Sequence, residues 1–274
     1  MSVIEIKNLS KSYGKFLAID DISLSIEKGD IIGFVGKNGA GKSTTIRSIM
    51  NMIFPTKGTI LVNGLDSVKD SKEIKQNLSY MSSENSFYEN LRVKELFKFC
   101  LQFSHENMDY VEELSDYFEL DINRKISELS LGNKKKVSII QALLKKSEII
   151  ILDEPTNGLD PLMQKKFFEL IIKEKERGAT VFLSSHNLEE VNKYCDKVII
   201  IKNGKIVDFI EMDTIKNVQK QIISYTTEDG ESKTFELKED INTLIMKLSK
   251  LKIKKLEIRD KSIEEEFIDY YKED

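Results

Sequence analysis

A glycine-rich segment follows a short apolar run near the N-terminus and has the residue types of a phosphate-binding loop. It reads Gly36-Lys-Asn-Gly-Ala-Gly-Lys-Ser-Thr44 and satisfies the pattern G-x-x-x-x-G-K-[ST]. Glycines let backbone N–H groups approach a di- or triphosphate at the N-terminus of the following helix. Lys42 would neutralise the β- and γ-phosphates, and the Ser43 hydroxyl would ligate Mg²⁺. The predicted ligand contacts are Gly36, Asn38, Gly39, Ala40, Gly41, Lys42, Ser43 and Thr44.

Two adjacent carboxylates, Asp153 and Glu154, form the second chemical feature of the chain. They follow the apolar run 149–152, which predicts a buried strand, and ligands of α/β sheets bind at the carboxyl ends of such strands. Paired acids at a strand end are often only the start of a solvated loop. With a phosphate loop upstream, we interpret Asp153 as a Mg²⁺ ligand and Glu154 as the general base that orients and polarises the attacking water.

The elements that must position these residues form an α/β pattern. Alternating or continuous apolar residues predict N-terminal strands that pair antiparallel, followed by a mostly parallel central sheet. The phosphate loop then has the strand before it and the helix after it that a βα unit requires. The predicted strands are 3–6, 22–26, 31–35, 149–152, 180–184 and 197–201, and the predicted helices are 42–53, stopped by Pro55, and 163–175.

Two further regions have patterns of apolar residues that differ from that of the central sheet. Residues from about 84 to 147 carry apolar side chains at helical spacing, which predicts an inserted helical subdomain. Residues 220–274 predict a small α+β appendage, with strands near 222–226, 233–237 and 254–258 and a helix over 242–251. A last helix is indicated by Ser262 with Glu265 three residues later, and by Ile263 and Phe267 on one face.

Composition excludes several classes of protein. The chain has 274 residues, with 42 basic and 46 acidic side chains and a net charge of −4, so it lacks the positive field of a nucleic-acid-binding surface. The N-terminus has no signal-peptide pattern, and the apolar runs are far shorter than the roughly 20 residues of a membrane-spanning helix. We therefore expect a cytoplasmic protein whose membrane attachment, if any, comes through a partner.

A third segment gives the chain a family resemblance. Leu129-Ser130-Leu131-Gly132-Asn133 precedes the acidic strand and resembles the L-S-G-G-Q signature of ATP-binding cassette (ABC) transporter ATP-binding subunits. Ser130 and Gly132 match that signature, whereas Leu131 and Asn133 depart from it.

Other positions match the same family. Gly158-Leu-Asp160 resembles its D-loop, and Ser184-Ser-His186 ends in its switch histidine, which the resemblance assigns to the γ-phosphate. Tyr13, seven residues before Asp20, matches the aromatic residue that stacks on adenine. The family's Q-loop glutamine falls on Ser83, with Glu84 next, so the metal contact of this loop stays open between Ser83, Glu84 and a water.

The resemblance covers about residues 1–215 and implies a P-loop NTPase of ABC type that hydrolyses ATP with Mg²⁺. Lys42, Glu154 and His186 would be catalytic. Two subunits would pair head to tail, with the N-terminus of the signature helix and Ser130 facing the γ-phosphate of the partner's ATP, and Gly132 and Asp160 are further predicted nucleotide contacts. A homodimer is favoured over a heterodimer, with an integral membrane permease on a separate chain and the cassette peripheral at the inner face of the membrane.

The region after residue 215 leaves two questions open. The tail Ser262–Phe267 resembles subunits of ABC-2 type exporters, or it is simply a capped amphipathic helix that closes a small core. The alternative function is a soluble ABC ATPase that assembles or remodels a cytoplasmic complex.

Overall fold

The computed structural model describes residues 2–84, 86–213, 221–237, 240–261 and 265. The chain divides into two compact units, Met1–Ile210 and Glu211–Asp274. The first unit combines an antiparallel sheet, a mostly parallel sheet and helices, which confirms the predicted α/β fold class. The predicted boundary at 215–220 lies outside the described residues, and so does the predicted last helix around Ser262, apart from Glu265.

The N-terminal sheet has four strands in the order β2-β1-β4-β5. They are β1 (Ser2–Tyr13), β2 (Phe16–Glu27), β4 (Lys57–Val62) and β5 (Leu65–Asp66). Neighbouring strands pair antiparallel, as predicted. Both predicted N-terminal strands lie within much longer ones, which a two-residue turn at Gly14 and Lys15 joins. This turn brings Tyr13 and Phe16 together at one end of the hairpin.

The central sheet has six strands in the order β10-β9-β3-β8-β7-β6. These are β3 (Ile31–Val35), β6 (Leu78–Met81), β7 (Ile149–Asp153), β8 (Thr180–Ser185), β9 (Lys197–Lys202) and β10 (Lys205–Glu211). The five strands from β9 to β6 run parallel, and β3, β7 and β8 are completely buried, as continuous apolar runs require. The carboxyl ends of β3, β8 and β7 therefore meet at one edge of the sheet.

Four helices connect these strands: α1 (Lys42–Ile49), α2 (Ser71–Gln76), α6 (Pro161–Glu176) and α7 (Leu188–Tyr194). The prediction that the first helix continues to residue 53 is wrong. It ends at Ile49, and Asn51 takes a left-handed conformation with φ of 47° before Pro55 is reached. Helix α6 begins at Pro161 because the Asp160 side chain accepts hydrogen bonds from the N–H groups of Leu162 and Met163.

The helical insertion contains α3 (Val93–Cys100), α4 (Met108–Tyr117) and α5 (Leu131–Leu143). The stretch 89–94, which leads into α3, is bound to the stretch 122–127, which leads towards α5. Four backbone hydrogen bonds join them, from Ser127 to Glu89, Ile126 to Leu91, Val93 to Arg124 and Lys94 to Ile122. The Lys134 ammonium on α5 adds an ion pair with Glu89 at 2.9 Å. We call these two bound stretches the insertion clamp.

The second unit is a small α+β structure, as predicted. Strands β11 (Gln221–Thr227), β12 (Ser232–Glu236) and β13 (Ile253–Asp260) form an antiparallel sheet in the order β12-β11-β13. Helix α8 (Ile241–Leu248) contributes Leu244 and Leu248 to a core with Ile223 and Tyr225. None of the helices in the described parts of the chain is long and apolar enough to span a bilayer.

Candidate functional site

The phosphate loop joins β3 to α1 and needs glycine at two positions for different reasons. A Cβ on Gly36 would lie 2.5 Å from the carbonyl oxygen of Ile201 on β9, which is closer than atoms can approach. Gly41 has φ of 113°, a conformation that side chains disfavour, and its Cβ would lie 3.0 Å from the carbonyl oxygen of Ala18. The loop therefore packs closely against β9 and β2. Helix α1 begins immediately after it.

Lys42, Glu154 and His186 form one cluster beside this loop. The buried Lys42 ammonium donates a hydrogen bond to the Gly36 carbonyl at 2.6 Å and lies 3.2 Å from Glu154 Oε1. The other oxygen of Glu154 lies 2.8 Å from His186 Nδ1. Glu154 also has φ of 50°, a left-handed conformation that residues other than glycine adopt rarely. The fold thus holds this carboxylate between two basic groups.

Asp153 is fully buried next to this cluster. Its Oδ1 accepts hydrogen bonds from Ser43 Oγ at 3.1 Å and from Ser184 Oγ at 2.6 Å. Its Oδ2 is buried without a hydrogen-bond partner in the described structure, which costs free energy unless another group satisfies it. A carboxylate oxygen and a hydroxyl are ligands that Mg²⁺ prefers, so Asp153 and Ser43 fit a bound Mg²⁺.

Ser184 is a site residue that the sequence did not reveal. Its hydroxyl donates to Asp153 and accepts a hydrogen bond from the backbone N–H of Glu154 at 2.9 Å. It therefore holds both acidic residues from the neighbouring strand β8. A single serine at a strand end gives no signal of this contact, which depends on β7 and β8 being adjacent in the sheet.

A cavity of about 380 Å³ lies over the phosphate loop. It extends from the aromatic end of the β1–β2 hairpin to Glu154. Ser83 lines this cavity, whereas Glu84 is 80% exposed and pairs with Arg47 at 3.6 Å. Of the two residues that could replace the missing glutamine, Ser83 is thus the one beside the phosphate loop. The lining residues are Tyr13, Phe16, Ala18, Lys37, Asn38, Gly39, Gly41, Lys42, Ser43, Thr44, Ser83 and Glu154.

Three predicted site residues lie elsewhere on the unit. Ser130, Gly132 and Asp160 are not among the residues that line the cavity. Ser130 caps α5 by accepting a hydrogen bond from the Asn133 N–H, and Asp160 caps α6. A Cβ on Gly132 would lie 3.3 Å from the Gly158 carbonyl oxygen, so the start of α5 and the loop 158–160 are neighbours. These three residues lie on one surface of the unit, which we call the second surface, and they do not line the cavity.

Lys135 is a second residue that the sequence did not single out. Only 2% of it is exposed, although it lies within a run of three lysines at the start of α5. Burial lowers the pKa of Lys135 to about 8, and the carboxylates of Asp153 and Glu154 partly offset this effect. The run alone does not say which lysine is buried, because that depends on how α5 packs against β6 and its neighbours.

A scan against family models matches residues 19–157 to the model described as ABC transporter. The chain belongs to the ABC transporter family. It is 36% identical over 83% of its length to the bacitracin transport ATP-binding protein BcrA of Bacillus licheniformis, of which it covers 76%. It is 32% identical over 97% of its length to the ABC transporter ATP-binding protein MJ1023 of Methanocaldococcus jannaschii, of which it covers 98%.

A solved structure supports the same assignment. The structure of an ATP-binding subunit of an ABC transporter matches this chain with a TM-score of 0.73 at 29% identity, covering 79% of this chain and 92% of that one. Within the ABC family this chain is therefore the ATP-binding subunit, a P-loop ATPase, as predicted from its motifs.

The unusual environment of Lys135 makes the stability of this ABC subunit depend on pH. The unfolded chain binds a proton at Lys135 up to about pH 10.4, whereas the folded chain releases it near pH 8. The cost of burying the charge is present below pH 8 and is relieved as the pH rises. Between pH 8 and 10, we expect the free energy of unfolding of the wild type to rise by about 2 kcal/mol relative to that of Lys135→Met.

Urea denaturation at a series of pH values measures this difference. Lys136→Met makes the same exchange at the next position and should give a curve parallel to that of the wild type. A parallel curve for Lys135→Met as well would contradict the lowered pKa.

Proposed function

We propose that this chain is the cytoplasmic ATPase of an ABC exporter and couples ATP hydrolysis to a permease on a separate chain. The observation that supports the hydrolytic part best is the placement of Glu154 between Lys42 and His186, next to the unpartnered oxygen of Asp153. A base, a phosphate-binding cation and a metal-ligand pair meet at the edge of one sheet. Together they have the chemistry that attack of water on a γ-phosphate requires.

Each residue has a distinct task in the proposed reaction. Backbone N–H groups of the phosphate loop and Lys42 bind the β- and γ-phosphates, and Tyr13 stacks on adenine. Ser43 and Asp153 would hold Mg²⁺, which neutralises phosphate charge when it is bound. Glu154 accepts the proton of the attacking water, and His186 holds the Glu154 carboxylate in place beside the γ-phosphate. Ser184 fixes the backbone that carries both acids.

The base role predicts that Glu154→Gln retains ATP but loses most turnover. An amide keeps the shape of the side chain but cannot accept the proton, so we expect ATP hydrolysis to fall by roughly 10²- to 10⁴-fold. Phosphate release measures turnover, and binding of labelled ATP measures retention. Glu176→Gln makes the same change at the exposed end of α6 and should leave both quantities unchanged. Similar turnover in Glu154→Gln and wild type would remove Glu154 from this role.

The second surface supports a shared site between two copies of the chain. Ser130 and Gly132 have the residue types of a phosphate contact but do not line the cavity of their own chain. The N-terminus of α5 carries the partial positive charge that attracts phosphate. We infer a head-to-tail homodimer in which the α5 terminus and Ser130 of one copy face the γ-phosphate bound to the other copy.

This arrangement predicts that two inactive variants restore each other. Lys42→Ala damages the site on its own phosphate loop, whereas Ser130→Arg damages the site formed with the partner's loop. A mixed dimer has one normal site and one doubly damaged site. After random exchange about half the dimers are mixed, so roughly a quarter of all sites recover at most. ATPase rates of each variant and of an equimolar mixture provide the measurement. A mixture no faster than the mean of its components, despite subunit exchange, would contradict the shared site.

A membrane partner is the remaining part of the proposal. The relative BcrA is named for the transport of bacitracin, which supports export, and the tail Ser262–Phe267 resembles exporter subunits. In the segment 83–93, Tyr88 is 79% exposed and lies between the cavity residue Ser83 and residue 89, where the insertion clamp begins. An exposed aromatic ring is a common anchor of protein interfaces. We infer that this segment contacts the permease.

Co-expression of this chain with the membrane protein that a neighbouring gene encodes tests this contact. We expect the chain to sediment with membranes only when the permease is present. Tyr88→Asp should abolish that sedimentation and leave ATP binding unchanged, because a charge placed in an apolar contact must be desolvated. Val68→Asp places the same charge at another exposed apolar residue and should have no effect. A chain that never sediments with any membrane partner would favour the alternative, a soluble ATPase that remodels a cytoplasmic complex.

A further inference from the structure

A second aromatic ring lies at the same end of the cavity as Tyr13. Tyr13 and Phe16 are directly opposite each other across the turn of the β1–β2 hairpin, so both side chains lie on one face of it. Both line the cavity together with the phosphate loop. Ala18, two residues beyond Phe16, also lines it, as the alternation of side chains along β2 requires. Phe16 therefore belongs to the wall of the cavity by its place in the strand.

The fold makes little use of the Phe16 ring. Phe16 is 64% exposed and is not part of the main hydrophobic core. In the described part of the chain, its ring contacts no other aromatic ring, that of Tyr13 included. A single exposed phenylalanine needs no explanation. Phe16, however, lines the cavity next to the separate ring of Tyr13, so its exposed ring provides apolar surface for a flat ligand.

The Tyr13 ring has one face already engaged within the chain. The Lys11 ammonium lies 5.1 Å from the centroid of this ring. A hydrogen bond to the Phe54 carbonyl at 2.8 Å holds the ammonium there. A cation over one face of an aromatic ring is attracted to its π-electrons. A nucleobase in the cavity thus has the other face of Tyr13 and the ring of Phe16 to contact.

We propose that Phe16 is a second aromatic residue that binds the base of the nucleotide, acting with Tyr13. The inference rests on the proposed function, in which the cavity binds ATP. Phe16 would contact the base and not the phosphates, so it contributes equally to ground-state and transition-state binding. Its loss should raise KM and leave kcat unchanged.

Binding of two ligands to Phe16→Ala tests the inference. Removal of an aromatic residue that stacks on a base weakens binding by roughly 5- to 100-fold, and we expect this loss for ATP. Inorganic tripolyphosphate lacks the base, so its affinity should stay within about twofold of wild type. Leu17→Ala is the matched control, because Leu17 is the next residue of β2, is 45% exposed, pairs with Ser12 and does not line the cavity.

A tryptophan at position 16 gives a direct optical signal. The chain contains no tryptophan, so Phe16→Trp introduces a unique fluorophore. Stacking of adenine on this indole should quench its emission as ATP is added, with tight binding retained. Tripolyphosphate should leave the emission nearly unchanged. Leu17→Trp carries the same fluorophore on the other face of the hairpin and should not respond to ATP.

The outcomes separate this inference from the proposed function. Wild-type ATP affinity in Phe16→Ala, or no quenching by ATP in Phe16→Trp, would overturn the role of Phe16 while the ATP site stands. An equal loss of ATP and tripolyphosphate affinity in Phe16→Ala would also overturn it, because the effect would then not concern the base. A wild-type chain that binds neither ligand would contradict the proposed function itself.

Discussion

The ion pair between Lys42 and Glu154 is the interaction on which the rest of the site depends. It joins the first residue of α1 to the residue that follows β7, and His186 extends it to the end of β8. Separating two buried charges without a substitute partner is costly, so these three segments are held in register with one another. A γ-phosphate beside Lys42 would compete with Glu154 for the same ammonium. When the γ-phosphate binds beside Lys42, it would replace Glu154 as the partner of the ammonium. The Glu154 carboxylate would then be released from the ion pair.

The order of the strands explains why distant residues meet there. Strands β3, β8 and β7 are adjacent and parallel, so the residues at their carboxyl ends meet although Ser43 and Asp153 lie 110 positions apart in the chain. The two hydrogen bonds of the Ser184 hydroxyl depend directly on this order of strands. Ser184 reaches from β8 to hold the carboxylate of Asp153 and the backbone of Glu154. A parallel sheet buried on both faces thus gives a polar cluster its rigid support.

Much of this could be predicted from the sequence, because glycine spacing and apolar runs are local signals. The phosphate loop, the acids at the end of β7 and four of the six central strands, β3, β7, β8 and β9, follow from such patterns, whereas β4, β5, β6 and β10 were not predicted. Contacts between elements could not be predicted in that way. The burial of Lys135, the bonds of Ser184 and the pairing of Glu84 with Arg47 all depend on which elements pack together. The end of α1 at Ile49 was not predicted, because the left-handed conformation of Asn51 is one that the local sequence allows but does not require.

The insertion clamp has a mechanical consequence. Four backbone hydrogen bonds and the Lys134–Glu89 ion pair would have to break together before the stretches 89–94 and 122–127 could slide apart. At about 0.5–1.5 kcal/mol for each backbone bond, thermal motion seldom supplies that energy. The clamp therefore joins the stretch that follows Tyr88 to the stretch that precedes Ser130. A displacement of one stretch would carry the other stretch with it.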